Sequence, residues 1–430
     1  MLLGYAVENF RSFKEEAFLD LRPAKSKVQL RYKDNFVTLD TGEKVLKEVV
    51  IVGENAGGKS NFVESLAFVR DLLARTDLSP KSYANTINSS NACFADEGQT
   101  RVDPSRSKTR QSFYFEVALD RLTYVYQLVL DRWGIVEEGL SYRSSRKGAE
   151  SEVFRLKRFQ RRRCPNCDER KSCEKDGVAG CLSYELNYSP EGDLSSEEME
   201  RFNSVQQSEG RRLTLVWMAT VGDPYCRKLL NWLVNDVVIA FAPNPISLEK
   251  SYASEDLLTV LGTEEYLDIV KLVDPSITGL ILNGEHPLQE SSVIRVTGEG
   301  KEFRRRIKDD SAGVQLYLCW AFYVYLVLYR NKTVIADEID SAINPTLSDR
   351  VIALVNGSDH HGQFIFTTHN IFNLTLRTHM KEQIYFISKD RYTLESSLYS
   401  AADFDEIRYD VKGELYELYL KGLLGGTANA

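Results

Sequence analysis

The sequence lacks the features of a secreted or membrane-spanning chain. Its first residues, Met1 to Tyr5, include no lysine or arginine, whereas a signal peptide begins with a basic segment. The longest apolar run, Leu316 to Tyr329, is shorter than the roughly 20 residues that a membrane-spanning helix needs. We therefore expect a cytoplasmic protein without a membrane contact, and we predict that the apolar run is a buried core helix.

Repeats and a strong charge of one sign are also missing. There is no repeat of fixed period and no heptad pattern long enough for a coiled-coil rod, which excludes solenoid and fibrous folds. A formal net charge of −8 in 430 residues excludes a generic nucleic-acid coat, although local basic runs are present. With 43% hydrophobic and 27% charged residues, the chain has the balance of a globular protein with two or three lobes.

A glycine-rich segment, Gly53–Ser60, fits the pattern G-x-x-x-x-G-K-[ST] in full. A strand-like stretch, Val45–Val52, precedes it, and apolar residues at helical spacing follow it from Phe62 to Leu73. This strand–loop–helix order is typical of a P-loop and disfavours the alternative, a glycine-rich turn that precedes a helix by chance. Backbone N–H groups of such a loop surround phosphate oxygens, and the helix adds its positive amino-terminal end.

We therefore predict that this loop binds ATP with Mg²⁺. Lys59 is expected to reach the β- and γ-phosphates, and the Ser60 hydroxyl is expected to ligate Mg²⁺. The predicted nucleotide-binding residues are Gly53, Asn55, Gly57, Gly58, Lys59 and Ser60.

Acidic residues and a histidine follow two later strand patterns. The short apolar run Thr333–Ala336 ends in Asp337 and Glu338. We predict that Asp337 completes the Mg²⁺ shell and that Glu338 is the base that orients water; the alternative is an acidic strand end that faces solvent. His369 follows the strand pattern Gln363–Thr367 and is predicted to sense the γ-phosphate, with a structural surface histidine as the alternative.

Four cysteines within 18 residues form the pattern C-x₂-C-x₅-C-x₇-C, namely Cys164, Cys167, Cys173 and Cys181. In a reducing compartment, clustered thiols are more often metal ligands than disulfides. We predict a structural Zn²⁺ site, with an iron–sulfur cluster and an unliganded set as alternatives. A closed Cys₄ site has no open coordination position, so its task would be to hold its own insertion together.

Two basic runs, Arg155–Arg163 and Lys301–Lys308, have two interpretations. They are either solvated faces with salt bridges or a surface for nucleic acid or an acidic partner. The first run lies beside the cysteine cluster.

The remaining patterns place these motifs in an α/β fold. Strand patterns at Phe113–Leu119 and Thr123–Leu130 flank Asp120-Arg121 as a hairpin, and a third near Glu152–Leu156 extends that antiparallel sheet. A capping box of Ser195 with Glu198 opens a mostly helical region that reaches about residue 275. Later patterns predict strands near 277–282 and 293–296, the apolar helix 314–329, the strand 333–336, a helix near 346–356 and the strand 363–367.

The predicted divisions of the chain follow from these patterns. They are the N-terminal half of the ATPase core at 1–157, the zinc-binding insertion at 158–192, a helical lobe at 193–290 and the C-terminal half of the core at 291–430.

In this order the motifs resemble the ABC-type P-loop ATPases of the SMC, RecF and OLD class. The segments that carry the resemblance are Asn9–Lys14 for the first strand, Asp310–Gln315 for the ABC signature, Asp337–Asp340 for the Walker B motif and D-loop, and Thr368–Asn370 for the switch histidine. The nearest resemblance is to the single-chain AAA ATPases of bacterial anti-phage operons such as Septu and PARIS. One departure is Asn344, which stands where relatives often have histidine.

The resemblance implies a homo-oligomer with ATP at subunit interfaces. Each nucleotide would lie between one P-loop and Ser311 and Gly313 of the partner subunit. Taken alone, Ser311 is equally well interpreted as an ordinary helix cap. The segment is also less glycine-rich than the signature of a transporter, so we expect slow hydrolysis.

The resulting hypothesis is an ATPase that acts as a scaffold or sensor and regulates an effector nuclease encoded nearby. The alternatives are a RecF-like ATPase of DNA repair or recombination and an assembly scaffold with negligible turnover. DNA-stimulated turnover, co-purification of a nuclease, and ATP-bound oligomers without phosphate release would distinguish the three.

Overall fold

The computed structural model describes residues 1–74, 110–131, 134–144, 150–160, 182–188, 195–209, 212–339, 345–405, 407, 409 and 415–425. The described strands are β1 (Leu2–Glu8), β2 (Ala17–Asp20), β3 (Phe36–Thr38), β4 (Lys44–Leu46), β5 (Glu48–Gly53), β6 (Gln111–Leu119), β7 (Leu122–Asp131), β8 (Gly134–Ser144), β9 (Glu150–Gln160), β10 (Leu182–Tyr188), β11 (Val237–Phe241), β12 (Ile277–Ile281), β13 (Ser292–Val296), β14 (Glu302–Arg306), β15 (Thr333–Asp337), β16 (Gln363–Thr368), β17 (Ile384–Lys389) and β18 (Ser396–Ser400). The described α-helices are α1 (Lys59–Ala74), α2 (Ser196–Glu209), α3 (Thr214–Val221), α4 (Pro224–Asn231), α5 (Pro245–Ser251), α6 (Ser254–Leu261), α7 (Glu264–Val270), α8 (Ala312–Arg330), α9 (Pro345–Gly357) and α10 (Leu415–Leu420).

A six-stranded sheet with the order β11-β15-β16-β5-β17-β18 forms the centre of the fold. The first five strands are parallel, and β18 runs antiparallel to β17. Strands of parallel sheets are covered on both faces and therefore consist of nearly continuous apolar runs. Val49–Val52, Val334–Ala336 and Phe364–Phe366 are such runs, and all are buried. The carboxyl ends of β15, β16 and β5 consequently lie side by side at one edge of the sheet.

A seven-stranded antiparallel sheet, with the order β10-β9-β8-β7-β6-β1-β2, packs beside the central sheet. The predicted hairpin is confirmed, because Leu119 of β6 pairs with Leu122 of β7 across the turn. The predicted third strand is also confirmed as part of β9, although β8 lies between it and the hairpin. The side-chain amide of Gln363 joins the two sheets, since it accepts from Leu2 N at 2.6 Å and donates to Leu2 O at 2.8 Å.

Helices α2, α3 and α4 follow the antiparallel sheet in the chain. The predicted capping box is confirmed: Glu198 accepts from Ser195 N at 2.9 Å, and Glu198 N donates to Ser195 Oγ at 3.3 Å. The buried carboxylate of Glu138 in β8 accepts from the N–H groups of Thr214 (2.6 Å) and Leu215 (2.9 Å) at the start of α3. Burial raises the pKa of Glu138, whereas these helix N–H groups favour its charged form.

Helix α8 is the buried core helix that the apolar run predicted. Within the described part of the chain it is the one helix that is long and apolar enough, by length and composition, to cross a membrane. Residues Tyr317–Leu328 are buried in the core, and the Tyr317 hydroxyl donates to Ile269 O of α7 at 2.9 Å. This packing is that of a core helix covered by its own protein.

The structure differs from the predicted pattern in three places. Asn9–Phe13 is a tight turn between β1 and β2 rather than part of a strand, with Asn9 and Arg11 at positive φ. β11 lies inside the region predicted to be mostly helical and pairs with β15. A five-residue apolar run is too short for its periodicity to separate strand from helix. The basic run Lys301–Lys308 contains β14, an exposed edge strand.

Candidate nucleotide site

The glycine-rich segment is a loop between the end of β5 and the start of α1, so the predicted strand–loop–helix arrangement is confirmed. Gly53 has no room for a side chain, because a Cβ would overlap the backbone oxygen of Ile387 in β17. Gly58 has φ +117°, and a Cβ there would lie 2.5 Å from Ser396 Oγ. Close approach therefore requires glycine at both positions, and at Gly58 the backbone conformation requires it as well.

Lys59 folds back into this loop. Its ammonium group donates to Gly53 O at 2.8 Å and to Glu54 O at 3.0 Å, and only 4% of the residue is exposed. The same Nζ lies 3.3 Å from His369 Nδ1, although the two residues are 310 positions apart. The structure thus brings together two of the predicted catalytic side chains.

The two acidic residues lie at the same sheet edge, at the end of β15. Asp337 is buried, and its Oδ1 accepts from Thr367 Oγ1 at 2.6 Å. Glu338 is exposed, and its N–H donates to the same Thr367 Oγ1 at 2.9 Å. Thr367 therefore fixes both the orientation of the Asp337 carboxylate and the backbone of the next residue.

Glu338 has a backbone φ of +53°, which an L-residue other than glycine rarely adopts. Such a conformation costs of order 1–3 kcal/mol and is found mainly where the surrounding structure holds it in place, often at functional sites. Here the hydrogen bond from Glu338 N to Thr367 Oγ1 helps to hold the backbone in this conformation.

The residues present fit ATP and Mg²⁺ in chemical type. Gly53, Gly57 and Gly58 carry no side chains, so the backbone N–H groups of the loop can surround phosphate oxygens. The Ser60 hydroxyl and the Asp337 carboxylate are hard oxygen ligands of the kind that Mg²⁺ prefers. Asn55 lies exposed at the loop tip, Gly57 is buried, and Ser60 is partly exposed at the start of α1.

Ser311 and Gly313 lie at the exposed amino-terminal end of α8. Ser311 caps that helix, because its Oγ accepts from Val314 N at 3.4 Å. A Cβ on Gly313 would meet nothing within 4 Å. Among the described residues their hydrogen bonds are local, so both positions face outward rather than into the P-loop of their own chain.

Three residues near the site were not predicted from the sequence, namely Ser12, Thr367 and Ser396. Ser396 Oγ lies 2.6 Å from Gly57 O, and Ser12 Oγ lies 2.8 Å from Ser396 Oγ. Ser12 lies in the β1–β2 turn and Ser396 begins β18. The only sequence signal was for Thr367, because a Thr-Thr pair at the end of a buried strand is an unusually polar ending.

The predicted zinc ligands Cys164, Cys167, Cys173 and Cys181 lie outside the described residues, as do Asp340, Asn344 and Arg161 to Arg163. Within the described ranges, no group of three or more His, Cys, Asp or Glu side chains could hold a metal ion. The zinc site therefore stays a prediction.

The described parts of the basic runs are largely paired with acids. Arg158 forms an ion pair with Asp131, and Arg155 NH1 lies 3.1 Å from Glu137 Oε1. In the second run, Arg304 pairs with Glu302 at 2.6 Å. The same holds for other cations of that run, with the pairs Arg306–Asp309, Lys308–Glu290 and Lys301–Glu299. These contacts favour the interpretation as solvated, salt-bridged faces.

No protein-family profile and no curated protein sequence matches the chain. The solved structures that are similar in fold include an SMC head domain from Thermotoga maritima (13% identity, TM-score 0.40), an SMC head bound to the C-terminal winged-helix domain of ScpA (17%, 0.43), and an SMC head with an extended coiled coil bound to the C-terminal domain of ScpA, derived from Pyrococcus furiosus (14%, 0.39). Each alignment covers 93% of this chain and 98%, 97% and 96% of the respective structure. The likeness is distant in both sequence and superposition.

Proposed function

We propose that this chain binds ATP with Mg²⁺ at the carboxyl edge of the central sheet and hydrolyses it. The observation that supports this most strongly is the 3.3 Å approach of Lys59 Nζ to His369 Nδ1, at the sheet edge where Asp337 also lies. A P-loop by itself binds phosphate, whereas hydrolysis needs an acid for the metal shell and a residue that orients water. The sheet edge holds all three: the loop with Lys59, the acid Asp337, and Glu338 as the residue to orient water.

Each residue has a role that its position supports. Lys59 would exchange the carbonyl oxygens of Gly53 and Glu54 for phosphate oxygens, since an ammonium group has three donors and a flexible stem. Ser60 and Asp337 would hold Mg²⁺, which when bound neutralises charge on the β- and γ-phosphates. Glu338 is the proposed base because its carboxylate is exposed at the tip of β15, beside the fixed Asp337. His369 is the proposed γ-phosphate sensor.

Phosphate release by the purified protein, with and without Mg²⁺, tests this assignment of ATP hydrolysis.

We further propose that two subunits close around ATP, with Ser311 and Gly313 of the partner subunit completing each site. The resemblance to ABC-type ATPases suggests this arrangement, and the exposure of the helix end supports it. The first N–H groups of α8 and the Ser311 hydroxyl can meet an anion that arrives from outside.

Replacing Ser311 with arginine should block ATP-dependent self-association. The long cation would occupy the open helix end, while the P-loop of the same chain stays intact and still binds ATP. Sedimentation velocity with and without ATP measures the result, and Glu338→Gln as background keeps the nucleotide unhydrolysed. Ser195→Arg is the matched control, because it also replaces an exposed helix N-cap, that of α2. Equal ATP-dependent association of the Ser311→Arg variant and the parent would contradict the proposed interface.

The proposed Cys₄ site should carry close to one Zn²⁺ per subunit. Changing Cys164 and Cys167 to serine together should release the metal, because two of four thiolate ligands are lost. Elemental analysis of the purified protein measures zinc and iron in the same sample, and Cys93→Ser is a control outside the cluster. Wild-type protein without zinc, or with iron and a visible absorbance, would contradict the assignment.

For the biological role, we propose a scaffold or sensor that regulates a partner effector nuclease in anti-phage defence. The resemblance to the ATPases of Septu and PARIS operons supports this role. Although Arg155 and Arg158 are paired with acids, the run Arg155–Arg163 as a whole is the proposed docking or sensing surface for the partner. The test is a phage challenge of cells that express the gene alone and together with its neighbours. Protection by the chain alone would refute the effector model, and no protection in any combination would favour the RecF-like alternative.

A further inference from the structure

A chain of hydrogen bonds runs from the β1–β2 turn to the P-loop. Ser396 Oγ lies 2.6 Å from Gly57 O and 2.8 Å from Ser12 Oγ, and Asn61 Nδ2 lies 2.7 Å from Ser12 Oγ. At the outer end, Arg11 NH1 lies 3.3 Å from Asn61 Oδ1. The two serines are buried, with 6% and 4% of Ser12 and Ser396 exposed.

The chemistry of the end groups fixes the direction of the outer bonds in this chain. A backbone carbonyl can only accept, so the single Ser396 hydroxyl proton is donated to Gly57 O. The Ser12 and Ser396 hydroxyl oxygens lie 2.8 Å apart and share a hydrogen bond, and the Asn61 amide nitrogen donates to Ser12 Oγ. The Arg11 guanidinium, which can only donate, sets the amide of Asn61 in the required orientation. We call the two hydroxyls the Ser12–Ser396 relay.

Further contacts hold this relay in place. Ser396 N donates to Ser12 O at 2.7 Å, so the backbones of the turn and of β18 are joined as well. Arg11 also forms an ion pair with Glu64 of α1. Connected hydrogen bonds polarise one another, so such a chain is stronger than its separate members.

The relay controls the orientation of one peptide group in the P-loop. The Gly57–Gly58 peptide is trans, so its C=O and N–H groups point in opposite directions. Because Ser396 holds the Gly57 oxygen, the Gly58 N–H is turned away from β18. The two hydroxyls also occupy the space beside Gly58 where a side chain would begin. A Cβ on Gly58 would lie 2.5 Å from Ser396 Oγ and 3.0 Å from Ser12 Oγ. Without the relay, the two glycines could rotate this peptide at little cost.

We propose that Ser12 and Ser396 are positioning residues, which hold the Gly58 N–H in the orientation that binds phosphate. The inference rests on the proposed function, because it assumes that the loop binds a nucleotide. It adds that the affinity of the loop depends on a turn and a strand that lie 384 positions apart in the sequence.

Ser396→Ala should weaken binding of a non-hydrolysable ATP analogue with Mg²⁺. Loss of one hydrogen bond predicts a rise in Kd of roughly three- to tenfold. In steady-state turnover, KM should rise while kcat changes by less than about twofold, since Lys59, Asp337 and Glu338 are untouched. Ser396→Cys should behave like Ser396→Ala, because the thiol is of similar shape but a weak donor. The matched control is Ser397→Ala, which alters the next, exposed residue of β18.

A double-mutant cycle tests whether the two serines act as one relay. The fold-change in Kd for the Ser12→Ala, Ser396→Ala double variant should be smaller than the product of the two single fold-changes, because either change interrupts the same chain of bonds. If the fold-change in Kd of the double variant equals the product of the two single fold-changes, the two serines act independently and the relay is overturned. A lowered melting temperature with unchanged Kd in Ser396→Ala would reduce its role to packing and overturn the proposal. If the wild type binds no nucleotide, the proposed function itself fails, and that outcome is distinct from binding that the serine variants leave unchanged.

Discussion

Lys59→Ala should weaken ATP binding and abolish hydrolysis. The ammonium group is the only side-chain cation that donates into the loop among the described contacts of the P-loop, and alanine leaves the β- and γ-phosphate charges without it. Hydrogen bonds to charged groups contribute about 1.5–3 kcal/mol, and 1.4 kcal/mol is a factor of ten, so affinity should fall roughly tenfold to a hundredfold. At saturating ATP, kcat should fall on the order of 10²–10³ or more, because charge that develops in the transition state is no longer stabilised.

Equilibrium binding and phosphate release measure these two effects separately. Lys250→Ala is a suitable control, since it removes an exposed lysine of α5 outside the loop. The melting temperature of the apo protein checks that the loop has not collapsed, because Lys59 also holds the carbonyl groups of Gly53 and Glu54. Turnover by Lys59→Ala at the wild-type rate would show that hydrolysis does not occur at this loop.

Glu338→Gln should bind ATP as the wild type does and fail to hydrolyse it. Glutamine keeps the shape of the side chain and the backbone hydrogen bond to Thr367, but it cannot accept a proton from the attacking water. Removal of a general base lowers kcat by roughly 10²–10⁴, so ATP should stay trapped in the site. This variant should therefore also stabilise the ATP-bound oligomer.

Single-turnover hydrolysis with radiolabelled ATP, together with the nucleotide content after gel filtration, measures both effects. Glu299→Gln is the matched control, because Glu299 is an exposed carboxylate on the loop between β13 and β14. Phosphate release at the wild-type rate in Glu338→Gln would mean that another residue is the base. In that case the positive φ at Glu338 would need a different explanation.

The candidate site shows how far local sequence patterns lead. The loop Gly53–Ser60 and the strand ends at Asp337 and His369 were predicted because each depends on a short segment: glycines before a helix, or a polar residue after a buried strand. That these segments meet at one edge depends on the parallel order β15-β16-β5, which the tertiary structure shows. The 3.3 Å approach of Lys59 Nζ to His369 Nδ1 is one result of that order.

The elements that the sequence did not predict are positioned by contacts with residues remote in the chain, as β17 is by β5. The β17–β18 hairpin contains mixed polar and apolar residues. Its position beside β5 places Ile387 against Gly53 and Ser396 against Gly58 of the P-loop. The turn Asn9–Phe13 has the alternation of a strand, yet the positive φ of Asn9 and Arg11 folds it over α1. Side-chain periodicity does not encode which strand lies next to which.

The sequence alone therefore determined the α/β class, the P-loop and the identity of its catalytic candidates, because those features depend on the spacing of neighbouring residues. Tertiary structure decided which groups support the loop. Ser12 and Ser396 are unremarkable serines in the sequence, and only the order of the strands places their hydroxyls against Gly57 and against each other. A hydrogen bond depends on distance and direction in space, and across 384 positions those are set by the packing of the whole core.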